Sequence, residues 1–166
     1  VKISELAALT TPATDDMLVI VDASEALDAD KTKYITVGNL RAGATFLTTP
    51  LTSTAWDGDS YSTTPKTKID LSAVFGAPAG VKAILARISA RDSASAGTQS
   101  LYFALSPNDT ALSHAMAVKP SGLTNDYVAD AVGIVPCDAN GDVYYQIKAS
   151  GTNTMDCWLE IWGYWL

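Results

Sequence analysis

The last strand-like stretch of the chain, Met155 to Trp165, constrains the fold more than any other part of the sequence. Two sets of residues alternate along it: Cys157, Leu159 and Ile161 on one face, and Trp158, Glu160 and Trp162 on the other. Alternation with a period of two residues is the pattern of a β-strand. A strand that is apolar on both faces is normally covered on both. The sequence therefore predicts a last strand that is central in a sheet or is covered by a neighbouring subunit.

The region before this stretch is also predicted to be β-structure. Apolar and β-branched runs alternate with turn signals, and the predicted strands are 68–71, 81–91, 100–105, 114–119, 127–135 and 143–148. Asn140-Gly141 is a strong turn signal, because this dipeptide favours positive φ angles. About seven or eight strands at this spacing, without a long helical pattern, indicate an antiparallel β-sandwich that is jelly-roll-like. The last two strands are predicted to form a long hairpin.

The length and composition allow one ordinary domain and an N-terminal arm. The chain has 166 residues, of which 48% are hydrophobic and 17% charged, so it can form a packed core. A Gly- and Thr-rich passage separates the two parts. We therefore predict an N-terminal segment at 1–42, a linker at 43–55 and a β-sandwich domain at 56–166.

The N-terminal segment has the pattern of a small β-hairpin that needs a partner. Val19–Val21 and Tyr34–Val37 are short β-rich runs joined by an acidic connection. A segment of about forty residues without cysteine or histidine rarely stays folded alone. The residues predicted to bury against a subunit, another protein or the chain's own body are Ile3, Leu6, Leu18, Ile20, Ile35 and Leu40.

The order of short motifs in this segment is distinctive. The motifs are Lys2-Ile3-Ser4-Glu5-Leu6, Thr10-Thr11-Pro12, Asp15-Asp16, a hydrophobic run closed by Asp22, a Thr-Lys run around residues 31–36, and Asn39-Leu40. This order resembles an N-terminal segment that recurs in tail-fibre, tailspike and other virion proteins of tailed bacteriophages. The resemblance covers roughly the first quarter of the chain. It implies attachment to a virion, and it supplies no catalytic residue.

The resemblance and the β-pattern together predict a non-enzymatic structural protein of a phage virion. It would be a homotrimeric tail fibre or tail adaptor subunit, made in the host cytoplasm, whose N-terminal segment docks on other virion proteins. Sheet packing around a threefold axis would cover the last strand, with Trp158, Trp162 and Trp165 as interface residues. One alternative is a head fibre or capsid decoration protein.

A host-glycan-binding module is the alternative outside this class. Trp56 and Tyr61 lie in a polar stretch rich in Gly, Ser and Thr, so they are predicted to be the most exposed aromatic residues. Exposed aromatic rings can stack on sugar rings. A surface glycan of the host is the partner that this alternative implies.

Charge and residue content argue against several other functions. The net charge is −7, with no basic stripe, which disfavours nucleic-acid binding. No apolar run is long enough to span a bilayer, so membrane insertion is not predicted. Cys137 and Cys157 are predicted to be free, buried thiols, and with His114 as the one histidine they do not make a zinc site. No metal or cofactor is predicted.

An enzymatic function is not predicted. His114 lies in a strand-like run, and no Gly-x-Ser-x-Gly elbow precedes a helix. The prominent carboxylates cannot be placed opposite one another from the sequence: Asp57, Asp59, Asp70 and Asp92. Asp57-Gly58-Asp59 resembles part of a calcium loop, but the remaining ligands are missing and a plain turn is favoured.

Overall fold

The structure is a computed structural model that describes residues 17–21, 32–36, 43–56, 58, 61–97, 100–111 and 113–166. For residues 17–21 and 32–36 it describes the backbone alone. The chain divides into two compact units, Val1–Gly43 and Ala44–Leu166. We call the second unit the body.

The first unit contains two paired strands, β1 (Met17–Val21) and β2 (Thr32–Thr36). They run antiparallel, with Val19 opposite Tyr34. This pairing confirms the small β-structure predicted for the N-terminal segment.

The body is built from two antiparallel sheets. Its elements are β3 (Ala44–Leu51), β4 (Thr64–Ile69), α1 (Leu71–Phe75), β5 (Ala83–Asp92), β6 (Tyr102–Ser106), β7 (Met116–Val118), β8 (Ala129–Pro136), β9 (Val143–Lys148) and β10 (Met155–Trp165). One four-stranded sheet has the order β3-β10-β5-β8, and the other has the order β4-β9-β6-β7. The mainly β fold and the antiparallel sandwich are therefore confirmed.

The strands of the body pair in a nested order. The first strand, β3, pairs with the last, β10; β4 pairs with β9; β5 pairs with β8; and β6 pairs with β7. The jelly-roll-like form of the sandwich stays a prediction. The predicted hairpin of the last two strands is wrong, because β9 and β10 lie in different sheets. Proximity in sequence favours a hairpin, but here each strand finds its partner at long range.

The predicted linker at 43–55 is also wrong in its larger part. Ala44–Leu51 is an eight-residue strand at the edge of its sheet, paired with β10. The body therefore begins at Ala44 rather than at residue 56. Threonine and phenylalanine favour strands, and Pro50 is compatible with an edge strand.

The core lies between the two sheets. β5 contributes Ile84 and Ile88, β10 contributes Ile161, and the facing sheet contributes Phe103 and Ile147, all almost fully buried. The core also contains Leu71 and Phe75 from the short helix α1, Leu105 from β6, Val135 from β8, and Met155, Cys157 and Leu159 from β10.

Candidate functional site

The outer face of the β3-β10-β5-β8 sheet carries Trp158, Trp162 and Trp165, the aromatic residues predicted for a subunit interface. Along β10, Cys157, Leu159 and Ile161 point into the core and are buried. Trp158, Glu160 and Trp162 alternate with them on the outer side and are half-buried. The register to β5 shifts between Ile161 and Gly163, so Trp162 is the extra residue of a β-bulge. The strand is therefore central in its sheet, as predicted, but its outer face stays partly exposed.

Two rows of apolar residues cross one end of this outer face. In one row Phe46, Gly163, Leu85 and Ile134 lie side by side on the four strands, and in the next Ala44, Trp165, Ala83 and Pro136 do the same. Phe46 and Ile134 are 67% and 57% exposed. Phe46 stands edge-on to Trp165, with 6.2 Å between the ring centres. We call these residues the apolar rows.

The other end of the face is polar and held by ion pairs. The Arg87 guanidinium binds Asp130 Oδ1 at 2.6 Å and Glu160 Oε2 at 3.3 Å, which joins β8, β5 and β10. Glu160 Oε2 also accepts a hydrogen bond from the Trp162 indole N–H at 3.0 Å. Ser89 Oγ donates to Asp130 Oδ1. That hydrogen bond, rather than the guanidinium alone, holds the pKa of Asp130 below its usual value.

Trp158 stands between two shallow grooves at this polar end. The first groove, of about 210 Å³, is lined by residues 52–54 and by Trp56, Trp158, Leu159 and Glu160. The second, of about 240 Å³, is lined by Arg87, Ser89, Val128, Trp158 and Glu160. The Arg91 guanidinium lies 5.6 Å from the centre of the Trp158 ring. Asp156 Oδ2 holds that guanidinium through a 2.6 Å ion pair, so the indole is fixed in place.

The predicted exposure of Trp56 and Tyr61 is wrong. Trp56 is 6% exposed, and its ring packs against Phe75, Phe103 and Tyr145 in the core. Tyr61 is half-buried and packs on Trp56, with 5.3 Å between the ring centres. The local sequence is polar, but the chain folds back over the core at this point. Neither ring is presented as a platform for a sugar.

His114 and Asp70, which the sequence offered as candidates for chemistry, make contacts that serve the fold. His114 Nε2 lies 3.0 Å from Gln146 Oε1, and its ring packs against Tyr102. Asp70 caps helix α1 by accepting from the Ala73 N–H at 2.9 Å. Within the described ranges no group of three or more His, Cys, Asp or Glu residues could hold a metal ion. Asp57 and Asp59 lie outside those ranges.

The two cysteines are free thiols, as predicted. Cys157 is buried and Cys137 is half-buried. Burial raises the pKa of the Cys137 thiol to about 12, and it raises the pKa of Cys157 further. Both thiols therefore stay protonated at neutral pH, which makes them poor nucleophiles.

The apolar residues proposed for the N-terminal interface are only partly covered by the structure. Ile3, Leu6 and Leu40 lie outside the described residues. Leu18 and Ile20 belong to β1 and Ile35 to β2, where the backbone alone is described. Their role in docking stays a prediction.

Phe46, Leu85 and Ile134 were not predicted from the sequence as members of the outer face. The sequence of β8 did carry a signal for an apolar outer face. Its exposed residues Val132 and Ile134 are apolar, and they alternate with residues on the face that contains the buried Val135. Such a strand is apolar on both faces, like β10. The alignment of these residues into rows depends on the register of four strands, which the sequence does not specify locally.

No protein-family model matches the chain, and no curated protein matches it. No helix in the part that the structure describes is long and apolar enough to cross a membrane.

Proposed function

We propose that the chain is a non-enzymatic structural protein of a tailed-phage virion, in the form of a homotrimeric tail fibre or tail adaptor subunit. The order of motifs in residues 1–42 supports attachment to a particle, because it resembles the attachment segment of such proteins. The division after Gly43 supports a separate docking unit followed by a β-sandwich body. In this proposal the first unit docks on another virion protein and the body assembles with its copies.

The observation that carries the assembly part of the proposal is the exposure of the apolar rows. Phe46 and Ile134 at the two edges of the sheet are largely exposed, with Leu85 between them. Contiguous apolar patches on a folded protein mark interaction sites. Cores of subunit interfaces are enriched in aromatic residues and depleted of charge, as these rows are. Three copies that pack the same face around a threefold axis would remove the rows from water.

The trimer can be tested directly on the full chain. We expect sedimentation equilibrium to give three times the 17.4 kDa chain mass at micromolar concentrations. Ile134→Lys should dissociate the trimer, since it places an ammonium group within the apolar rows that the trimer would bury. Ala139→Lys is the matched control, because it adds the same charge in an exposed turn.

Two results would contradict this assembly. A monomer at all micromolar concentrations would exclude the trimer. A trimer that survives Ile134→Lys as well as Ala139→Lys would place the interface elsewhere, and the apolar rows would then serve another virion protein.

Deletion of residues 1–42 tests the docking role. We expect the shortened chain to keep a cooperative thermal unfolding transition, because every strand of the body lies at or after Ala44. We also expect it to be absent from purified particles that incorporate the tagged full-length chain. Labelling of the tag by electron microscopy would separate a tail position from a head position. A shortened chain that still enters particles would show that the body docks.

A further inference from the structure

We propose that the two grooves beside Trp158 form a binding site for a neutral saccharide. This function goes beyond the structural role and does not depend on it. The site lies at the polar end of the outer face. Trp158 is paired with Ser89 on β5, four residues from Leu85 in the nearest apolar row. At a rise of about 3.3 Å per residue this is roughly 13 Å. A saccharide over Trp158 can therefore coexist with a subunit interface that is confined to the apolar rows.

The chemistry of the groove walls matches the two surfaces of a pyranose ring. A pyranose presents a face of C–H groups, which packs on an aromatic ring, and a rim of hydroxyl groups, which need hydrogen-bond partners. Trp158 lines both grooves and offers the ring. Glu160 also lines both, and a carboxylate has about four acceptor positions. Two of the hydrogen bonds it makes fall on Oε2, so acceptor capacity remains for a ligand hydroxyl.

Each groove adds its own hydrogen-bonding groups. Thr52, Ser53 and Thr54 supply hydroxyl groups that can donate and accept on one side of the indole. Arg87 supplies guanidinium donors on the other side. Its guanidinium has five N–H groups, which is more than its two ion pairs use. With one groove on either side of one indole, the site fits an oligosaccharide that passes over Trp158 better than it fits one monosaccharide.

The side chains of the site contact one another before a ligand arrives, which lowers the entropic cost of binding. Arg91, held by Asp156, lies against the Trp158 ring. Arg87 is fixed between Asp130 and Glu160. The side chains that would contact a sugar are therefore already in place.

The charges favour a neutral ligand over an anionic one. The carboxylates of Asp130, Asp156 and Glu160 outnumber the guanidinium groups of Arg87 and Arg91 at this end of the face. The chain as a whole carries a net charge of −7. A sulfated or uronic-acid saccharide would therefore be repelled.

A proline-rich peptide is a less suitable occupant. Docking grooves for such peptides are lined by aromatic rings. Here Trp158 is shared by both grooves, and the second indole of the lining, Trp56, is almost fully buried. Hydroxyl, carboxylate and guanidinium groups make up much of the remaining lining.

The test uses the full chain and four defined probes. Cellotetraose, maltotetraose and chitotetraose are neutral, and a tetramer of galacturonic acid is the anionic probe. We expect saturation-transfer NMR to show contact with ring C–H protons of at least one neutral tetramer. Dissociation constants of about 0.1–10 mM are expected for shallow grooves. The galacturonate tetramer should show no transfer.

Variants connect the binding to the site. Trp158→Ala should weaken binding about tenfold or more, through the loss of stacking. Trp158→Tyr should retain part of it, and Glu160→Gln, which is nearly isosteric, should weaken it severalfold. Tyr144→Ala is the matched control, because it removes a half-buried aromatic ring from the outer side of the other sheet. It should leave binding unchanged, and thermal melts of all variants should confirm folding.

Several outcomes would overturn the proposal. No transfer to any neutral tetramer would exclude this ligand class. Equal loss in Tyr144→Ala and Trp158→Ala, or no loss in folded Trp158→Tyr and Glu160→Gln, would place the ligand elsewhere. Tighter binding of the galacturonate tetramer, or of a ten-residue proline-rich peptide, would assign the grooves to a different chemistry.

Discussion

Replacement of Gly58 with alanine should lower the free energy of unfolding by about 3 kcal/mol or more, through overpacking and backbone strain together. A Cβ atom at this position would lie 1.7 Å from the Cys157 carbonyl oxygen and 2.5 Å from its carbonyl carbon. These are backbone atoms of a central strand, so no rotamer change can relieve the contact. Gly58 also has φ +76°, where an L side chain is strained.

The consequences should extend to the aromatic cluster. The Gly58 carbonyl accepts a hydrogen bond from the Tyr61 N–H at 3.2 Å, and Trp56 lies two residues before it. If the backbone moves away from β10, the Trp56 ring must leave its contacts with Phe103 and Tyr145. We therefore expect a red shift of tryptophan fluorescence and a weaker near-ultraviolet circular dichroism signal in the folded variant.

Gly76→Ala provides the control for backbone strain alone. Gly76 has a similar φ of +70° at the C-terminal end of α1, but a Cβ there would meet nothing within 4 Å. It should cost only about 1 kcal/mol, the strain of a left-handed residue. Urea denaturation of both variants at one protein concentration measures the difference. Equal costs would mean that the chain around Gly58 yields easily and that the close approach to β10 is not a structural constraint.

Gly58 also explains why the sequence misplaced Trp56. The neighbouring residues are polar, and polar neighbours favour an exposed loop. The glycine lets the backbone approach β10 closely, and this approach brings the indole over the core, against Phe75 and Phe103. A close approach between residues about one hundred positions apart leaves no periodic signal in the sequence.

Strands were easier to predict than their partners. The alternation in β10 and β5 is local, and both strands overlap their predicted ranges. The pairing of β3 with β10 and the separation of β9 from β10 are consequences of the nested winding. The outer indoles of β10 could be predicted for the same local reason. The apolar rows and the grooves at Trp158 could not, because they need the register of β10 against β3 and β5.

Asp92→Asn should be the second large destabilisation, with a loss of about 2–4 kcal/mol at pH 7 for a buried charged acceptor. Asp92 ends β5 and is 0% exposed. Its Oδ1 accepts from the Ala94 N–H at 2.8 Å and from Ser150 Oγ at 2.5 Å. Its Oδ2 accepts from the Ser150 N–H at 3.0 Å and from Thr154 Oγ1 at 3.1 Å.

This carboxylate ties together two parts of the body. It joins the end of β5 to the turn between β9 and β10, which contains Ser150 and Thr154. An asparagine has the same shape, but its NH₂ group cannot accept hydrogen bonds from the donors that face one of the two oxygens. The variant would therefore bury unpaired N–H or O–H groups at this junction.

The same hydrogen bonds also lower the pKa of Asp92. Burial raises this pKa, but the hydrogen bonds from Ser150, Ala94 and Thr154 together lower it by more, so the pKa lies below its ordinary value. The folded state therefore favours the ionised form. The stability that Asp92 contributes is fully present above the unfolded pKa of about 3.9, and it is lost as the pH falls through the folded pKa.

The difference in stability between the natural chain and Asp92→Asn should therefore depend on pH in a defined way. It should be constant from pH 7 to about pH 5 and should shrink below about pH 4, because a protonated Asp92 resembles asparagine. Urea denaturation at pH 7, 5, 4 and 3 measures it, at one protein concentration because assembly would couple stability to concentration.

Asp70→Asn separates this effect from the general loss of a hydrogen-bonded carboxylate. The hydrogen bond from the Ala73 N–H holds the pKa of Asp70 below its usual value as well, but Asp70 is exposed at the start of α1. Asparagine caps helices about as well as aspartate, so this variant should lose little stability at pH 7. A large loss in Asp92→Asn beside a small one in Asp70→Asn would assign the cost to burial. A difference for Asp92→Asn that stays constant down to pH 3 would mean that the charge of Asp92 contributes nothing and that shape alone decides.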